Sequence, residues 1–451
     1  MLQSWNKFCF TGGIVEFSAK LPGSPEKGGL WPARTSCRIA KLYQLSVPSR
    51  FIPSCSVWML GNLARATYVG SSDFVWPYSF NQCDTRNRKS QLINACSKVN
   101  HFGLDPFRGR GSPEIDIIES MQGEKGKLPN TFIQRPYQSA SLQIAPGVEL
   151  DRPQLGHRPH EVRRGCRCAS QSISNTSLNT QGHWYSNLTY NDKNMSDLNP
   201  FFYGVTLFHK PKEKTYQSDA ISANFQLNQT HYDKQHIYRL EWEPPLANGT
   251  GGYIKWYTDD HFVFDVHGAN LRIMQTEIPS EPMYLLMNTA VSKTWGFPAP
   301  CPNNCDCKCY ECGNPACACA LPSGYCDNFP ASLEIDFVRV YQAVNDSKHI
   351  LGCSPENRPT EQFIKGHASK FMTTEDKRPL EPIQKGGGAC RKSSDCGKGS
   401  TCTTAGICEC LASRTGPHCL AHAGFYDFTV NQGEETNFMC TYNLLSLARL
   451  I

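Results

Sequence analysis

At 451 residues the chain has room for one large domain and a small one, and its net charge of +5, from 45 Lys and Arg against 40 Asp and Glu, is spread rather than massed. That balance argues against nucleic acid as a partner, while 35 Gly, 30 Pro and 11% aromatic residues exclude coiled-coil and collagen-like architectures and favour strands with tight turns. The 23 cysteines point to disulfides, and hence to an oxidising compartment: the secretory pathway or the cell surface.

In chain order, Met1-Leu-Gln-Ser-Trp-Asn-Lys-Phe has no apolar signal core, and no run of 18 or more apolar residues follows. Set beside the cysteines, this gives the expectation that the natural start is missing. From about Cys9 to Val344 short apolar runs alternate with Gly, Pro and Asn, as in Gly13-Ile-Val-Glu-Phe-Ser-Ala-Lys-Leu, Tyr253-Ile-Lys-Trp-Tyr and Phe262-Val-Phe-Asp-Val. They predict strands, and without a sustained helical period residues 1–345 read as an all-β sandwich. The Cys-rich loop 301–326 fits disulfides better than zinc, because structural zinc takes separated Cys pairs and often a His, and no His lies there. Residues 354–389, rich in Pro, Lys, Glu and Gly, read as a linker. A cysteine module at 390–419 and a tail at 420–451 without interpretable pattern complete the chain. Sequons at Asn175, Asn187, Asn194, Asn228, Asn248 and Asn345 are compatible with glycosylation in the secretory pathway.

The segment Gly111-Ser-Pro-Glu114-Ile-Asp116-Ile-Ile-Glu119 carries the chemistry. Retaining glycoside hydrolysis needs two carboxyl groups about 5 Å apart, one to attack and one to protonate the leaving oxygen. On a regular strand Glu114 and Asp116 share a face and Glu119 points the other way. A β-bulge at Ile117 or Ile118 would return Glu119 to that face, with the Cα atoms of the outer pair roughly 13 Å apart and long side chains leaning inward across a concave sheet. Without such a bulge the pattern is a half-buried strand alternating acids with isoleucines. Leu333-Glu334-Ile-Asp336-Phe-Val-Arg339-Val-Tyr begins alike but places Arg339 where a third acid would fall, and reads as structural.

Around that strand stand Gly28-Gly-Leu-Trp31-Pro-Ala, Trp58-Met-Leu-Gly-Asn-Leu-Ala-Arg-Ala-Thr-Tyr68, Trp76-Pro-Tyr-Ser-Phe and Tyr238-Arg-Leu-Glu-Trp242. Together these blocks closely resemble glycoside hydrolase family 16, and more narrowly its fungal and oomycete members associated with β-glucan synthesis in the cell wall. The resemblance runs from near residue 1 to about Gln342. It implies a concanavalin-like jelly-roll β-sandwich whose concave face holds β-1,3- or β-1,6-glucan, with Glu114 as nucleophile, Glu119 as acid/base and Asp116 tuning Glu114. It also implies Trp31, Trp58 and Trp295 as candidate sugar platforms and Asn288 as a hydrogen-bonding partner of the substrate. No cofactor or metal is expected.

Two departures from the family accompany it. About residues 34–56, with four basic residues, no acid and two cysteines, interrupt the tryptophan block and look like a retained intron. At the front, further strands and a membrane anchor are expected upstream. The module Cys390-x5-Cys396-x5-Cys402-x5-Cys408-x-Cys410-x5-Gly416-x2-Cys419 allows 15 pairings from six cysteines. Its spacing resembles an EGF-like module, which implies Cys390 with Cys402, Cys396 with Cys408 and Cys410 with Cys419, and a role in contacting another protein or as a spacer. The functional expectation is a retaining β-glucan hydrolase or transglycosylase in cell-wall assembly; the alternative is a glucan-binding assembly factor without turnover.

Overall fold

The computed structural model describes residues 1–28, 30–31, 56–82, 91–93, 103–104, 108–126, 131–147, 185, 188–190, 195–199, 205–208, 215–272, 276–291, 305, 311–319, 321, 324–373, 376, 380 and 383–422. The strands that build the sandwich are β1 (Gly13–Lys20), β2 (Val57–Gly61), β3 (Glu114–Met121), β4 (Tyr137–Ile144), β5 (Thr215–Gln226), β6 (His236–Glu243), β7 (Tyr253–Thr258), β8 (His261–His267), β9 (Met283–Met287) and β10 (Glu334–Tyr341). Among the described residues, one sheet has ten strands and runs Val205–Phe208, β5, β4, β3, β2, β9, Cys9–Thr11, Ile350–Leu351, with Ser196–Leu198 on β5 and Leu2–Gln3 on β9. The other has six and runs β10, β1, β6, β7, β8, Thr189–Tyr190. This is the jelly-roll sandwich that the sequence resemblance implies, with the acid strand β3 in the middle of the larger sheet.

Alternation explains which face each strand buries. Along β6 and β7 buried residues alternate with half-exposed ones, and Tyr238, Leu240, Trp242, Ile254 and Trp256 point inward. They meet Met59, Ile115, Ile117, Leu142, Ile221 and Leu285 of the larger sheet in one continuous apolar core. β3 and β4 differ in being buried on both faces. Their second face is polar, and it forms the candidate site. The approach to β3 is tight: a Cβ at Gly111 would lie 2.2 Å from the Tyr78 carbonyl oxygen, so a side chain there would displace the strand's entry.

The segment expected as a linker is packed. Helices α1 (Glu361–Gly366) and α2 (Ala368–Met372) bury Phe363, Ile364 and Phe371, which with Leu380 close an apolar cluster against Leu63, Val75, Ile93 and Leu104. Trp5 stacks on Phe371 at 5.3 Å, and a disulfide joins Cys9 to Cys353. Beneath it lies a buried ion cluster. Arg110 binds Glu281 through two hydrogen bonds of 2.6 and 2.7 Å, and Arg358 reaches both Glu281 and Glu277. Burial pushes the Glu281 carboxyl up, but the two guanidinium groups outweigh it and hold it below its ordinary value. The composition of 354–389 hid this, because Phe363, Ile364, Phe371, Leu380 and Ile383, which are buried, are few among its polar residues.

Disulfides Cys390–Cys402, Cys396–Cys408 and Cys410–Cys419 hold the small module, in the pairing that the resemblance implies. It sits directly on the segment 354–389, a strap across the sandwich: Gly416 approaches Gln362 and Ile383 so closely that a Cβ there would lie 2.5 Å from the Gln362 amide oxygen. In the Cys-rich loop the described disulfides are Cys305–Cys319 and Cys312–Cys326. The tail after His422 and the stretch 34–55 lie outside the described residues.

Candidate active site

The pairing of β3 shows the bulge directly. Against β4, Gln143, Leu142 and Ser141 face Glu114, Ile115 and Asp116 in turn, and the next pair is Ser139 with Glu119. Two steps on β4 therefore correspond to three on β3. The register against β2 slips at the same place, between Trp58 with Asp116 and Val57 with Ile118. The extra residue turns Glu119 to the side of Glu114 and Asp116.

A bulge frees backbone carbonyls, and inside a core these must find donors. The indole Nε1 of Trp256, from the opposite sheet, donates to the Asp116 carbonyl at 2.9 Å. Gln138 Nε2 donates to the Ile117 carbonyl at 3.0 Å, and Thr258 Oγ1 holds the other end of that amide by donating to Gln138 Oε1 at 2.6 Å. The irregularity that aligns the three acids is thus fixed from the core side, by β7 and β4.

On the polar face the carboxylates are held by donors. Trp76 Nε1 donates to Glu114 Oε2 at 2.9 Å. Gln143 Nε2 bridges the first two acids, donating to Glu114 Oε1 at 2.7 Å and to Asp116 Oδ2 at 2.8 Å, and Ser141 Oγ donates to the same Asp116 oxygen at 2.5 Å. Alternation along β4 supplies these partners: Ser139, Ser141 and Gln143 face the acids while Ala140, Leu142 and Ile144 enter the core. Glu114, Asp116 and Glu119 are all exposed by 1% or less. Nearby, burial first and then the Glu119 charge raise the Tyr137 hydroxyl above its ordinary value, with Arg135 opposing. Burial likewise raises Tyr284, with the Glu114 charge adding to it. Both phenols stay protonated donors.

Not every sequence-derived site residue behaves as expected. Trp58 shares the acid face, yet it is 1% exposed, packed among Trp76, Tyr284 and Leu286, and its indole N–H donates to Asn288 Oδ1 at 2.9 Å. Its ring is covered as fully as the acids are, and the Asn288 oxygen is the acceptor of its N–H. Trp31 lies on the short strand Leu30–Trp31 beside Ala290–Val291, and its side chain, like all of Trp295, lies outside the described residues. Asn228, Asn248 and Asn345 are exposed, whereas Asn175, Asn187 and Asn194 lie outside the described residues. Sequence reasoning missed Trp76, Ser141, Gln143 and Trp256 as partners of the acids. Only the polar alternation in Tyr137–Ile144 signalled any of them.

Two groups of possible metal ligands occur among the described residues away from the Cys module, and both lie around β6. His231, His236 and Asp259 form one, but the imidazoles stack face to face at 3.8 Å, and ring nitrogens are already bonded to Tyr238 and Asp259. Parallel rings cannot both aim a lone pair at one ion in their planes. Glu243, Asp346 and His349 form the other, and there the Lys348 ammonium already pairs with Glu243 and Asp346 while His349 bonds Glu243.

The family model described as "Beta-glucan synthesis-associated protein SKN1/KRE6/Sbg1" matches residues 1–37, 40–154, 160–300 and 325–378. The chain is 26% identical over 392 residues to the beta-glucan synthesis-associated protein SKN1 of Candida albicans, covering 82% of this chain and 40% of that protein. It is 27% identical over 398 residues to the beta-glucan synthesis-associated protein KRE6 of Saccharomyces cerevisiae, covering 82% and 41%. The chain thus spans about two fifths of the length of the curated relatives it matches. Among solved structures, it is similar to the laminarinase catalytic domain of Thermotoga maritima, with 16% identity over 76% of this chain and 68% of that one and a TM-score of 0.31. Similarity to the endo-beta-1,3-glucanase of Pyrococcus furiosus has 16% identity over 76% and 66%, with a TM-score of 0.28.

Proposed function

The chain belongs to the beta-glucan synthesis-associated SKN1/KRE6/Sbg1 family, and from that premise we propose that it is a retaining β-glucan hydrolase or transglycosylase acting in cell-wall assembly. Glu114 attacks the anomeric carbon, Glu119 protonates the departing glycosidic oxygen, and a glycosyl ester on Glu114 results. Glu119, now a carboxylate, then takes a proton from water or from a sugar hydroxyl, whose oxygen displaces Glu114. Asp116 sits beside the nucleophile and shares its Gln143 donor, which orients Glu114. No cofactor enters this scheme. The disulfides fit a lumenal or extracellular site of action.

The observation that carries the reading is the bulge, which sets three carboxyl groups of one strand on one polar face and is capped by donors of both sheets. A second reading, a glucan-binding assembly factor without turnover, draws on the near-complete burial of the same acids. Incubation of the protein and its Glu114→Gln variant with β-1,3- and β-1,6-glucan oligomers, followed by NMR of the product anomers, separates the two. Products of retained configuration, lost in the variant, are expected. Equal and negligible turnover with retained binding favours the second reading.

A further inference from the structure

We propose that Asn224 binds hydroxyl groups of the glucan unit lying beside Glu119, a substrate-binding role that rests on the reading of this face as a glucan site. In the sheet Asn224 pairs with Ser139, which pairs in turn with Glu119. Directly opposed residues of antiparallel strands project to the same side, so Asn224 shares the face of the acids, two strands away. Its neighbours Ile221, Ala223 and Phe225 enter the apolar core, which fixes the alternation independently.

Asn224 is 0% exposed, and neither its amide nitrogen nor its amide oxygen has a hydrogen-bond partner among the described residues. Several polar groups around it bond elsewhere, among them Asp197, its direct partner on the strand Ser196–Leu198. Ser139 Oγ bonds Ser222 Oγ at 3.0 Å, Thr131 Oγ1 donates to Asp197 Oδ2 at 2.8 Å, and Gln226 Nε2 donates to the carbonyls of Gln134 and Pro136. A buried amide without partners is costly and uncommon in native proteins, and its usual explanation is a ligand or water that completes it. Two N–H donors and one carbonyl acceptor suit a pair of sugar hydroxyls, each of which donates and accepts. The two strand spacings between Asn224 and Glu119 amount to roughly 10 Å of backbone, from which both side chains project toward a sugar lying between them. Asn224 is covered to the same degree as Glu119, so both depend alike on this face opening to glucan.

The test measures binding rather than turnover. In the full chain carrying Glu114→Gln, calorimetry determines the affinity for a β-1,3-linked and for a β-1,6-linked glucotetraose, with and without Asn224→Leu. The expected result is a loss of about 10- to 100-fold in affinity for whichever oligomer the parent binds, corresponding to one or two lost hydrogen bonds, at an unchanged or higher melting temperature. Asn224→Ala gives the same comparison if the leucine variant does not fold. Unchanged affinity overturns the proposal and makes the amide a site for water. Affinity lost together with a fall in melting temperature overturns it too, by making the role structural. A parent that binds neither oligomer overturns the glucan reading itself, whereas Asn224-dependent binding by a wild-type chain without turnover overturns only the enzymatic part.

Discussion

Replacing Trp256 with phenylalanine tests whether the bulge is held from the core. The indole N–H is the donor to the Asp116 carbonyl at 2.9 Å, and both residues are fully buried. Removing the donor leaves that carbonyl without it in a dry environment, which costs about 1–3 kcal/mol. The smaller ring also leaves part of the space stacked on Phe264 at 4.3 Å, which adds about 1 kcal/mol of cavity cost. The sum is roughly 2–4 kcal/mol, which for a domain of this size lowers the melting temperature by roughly 2–6 °C. Urea unfolding measures the loss. If the bulge also places Glu119, kcat on glucan oligomers falls by more than KM rises, because binding surfaces distant from β3 are untouched. A variant that unfolds within about 0.5 kcal/mol of wild type, the ordinary range of neutral substitutions, would show that the indole does not hold the bulge.

The other perturbations address the site and its supports. Gln143→Leu removes the donor shared by Glu114 and Asp116, and kcat/KM should fall about 10- to 100-fold with glucan affinity retained; unchanged kinetics refute its orienting role. Arg110→Met leaves Glu281 buried with only the longer contact to Arg358, and should cost about 3–5 kcal/mol in urea unfolding; a loss under about 1 kcal/mol contradicts the ion cluster as an anchor of the strap. Burial, and then the neighbouring His236, push the His231 imidazole down from 6.5 to about 4, with Lys234 acting the same way and Asp259 opposing. The folded protein therefore keeps this ring neutral while the unfolded chain protonates it. Its contribution is present above pH 6.5 and lost as pH falls toward 4, by at most about 3 kcal/mol. Burial raises the Asp259 carboxyl, but its hydrogen bonds to His236 and to the Ile237 amide and the two imidazoles together outweigh that and hold it below its ordinary value, so it acts beneath that window. His231→Gln should flatten the pH dependence of the urea midpoint between 6.5 and 4, and an unchanged slope rules out His231 as its source.

How much of this was legible in the sequence differs by element. The bulge was one of two readings of the strand, the one that paired-carboxyl chemistry requires, and the register shift between Asp116 and Glu119 lies where that reading put it. The runs Tyr253-Ile-Lys-Trp-Tyr and Phe262-Val-Phe-Asp-Val were likewise legible as strands, and they fall in β7 and β8. The donors to the acids were not legible, since Trp76, Gln143 and Trp256 come from distant stretches and only strand pairing brings them to β3. The partner of Trp58 was hidden for a related reason: its N–H donates to Asn288, which is 230 residues away in sequence. The strap misled through composition. Pro, Lys and Glu dominate 354–389, while Phe363, Ile364 and Phe371 are too sparse to show a helical stripe and find their partners on loops remote in sequence.

The central claim, that Glu114 is a nucleophile activated within this strand, has a direct measurement. The Glu119→Gln variant is incubated with a 2-deoxy-2-fluoro β-glucobiosyl fluoride, whose good leaving group needs no acid and whose fluorine slows breakdown of the ester. The protein is then digested and its peptides weighed by mass spectrometry. The account predicts one added fluorinated glucobiosyl group on Glu114, absent when Glu114 is also changed to Gln. An unmodified Glu114 peptide, or an adduct on Asp116 instead, contradicts it.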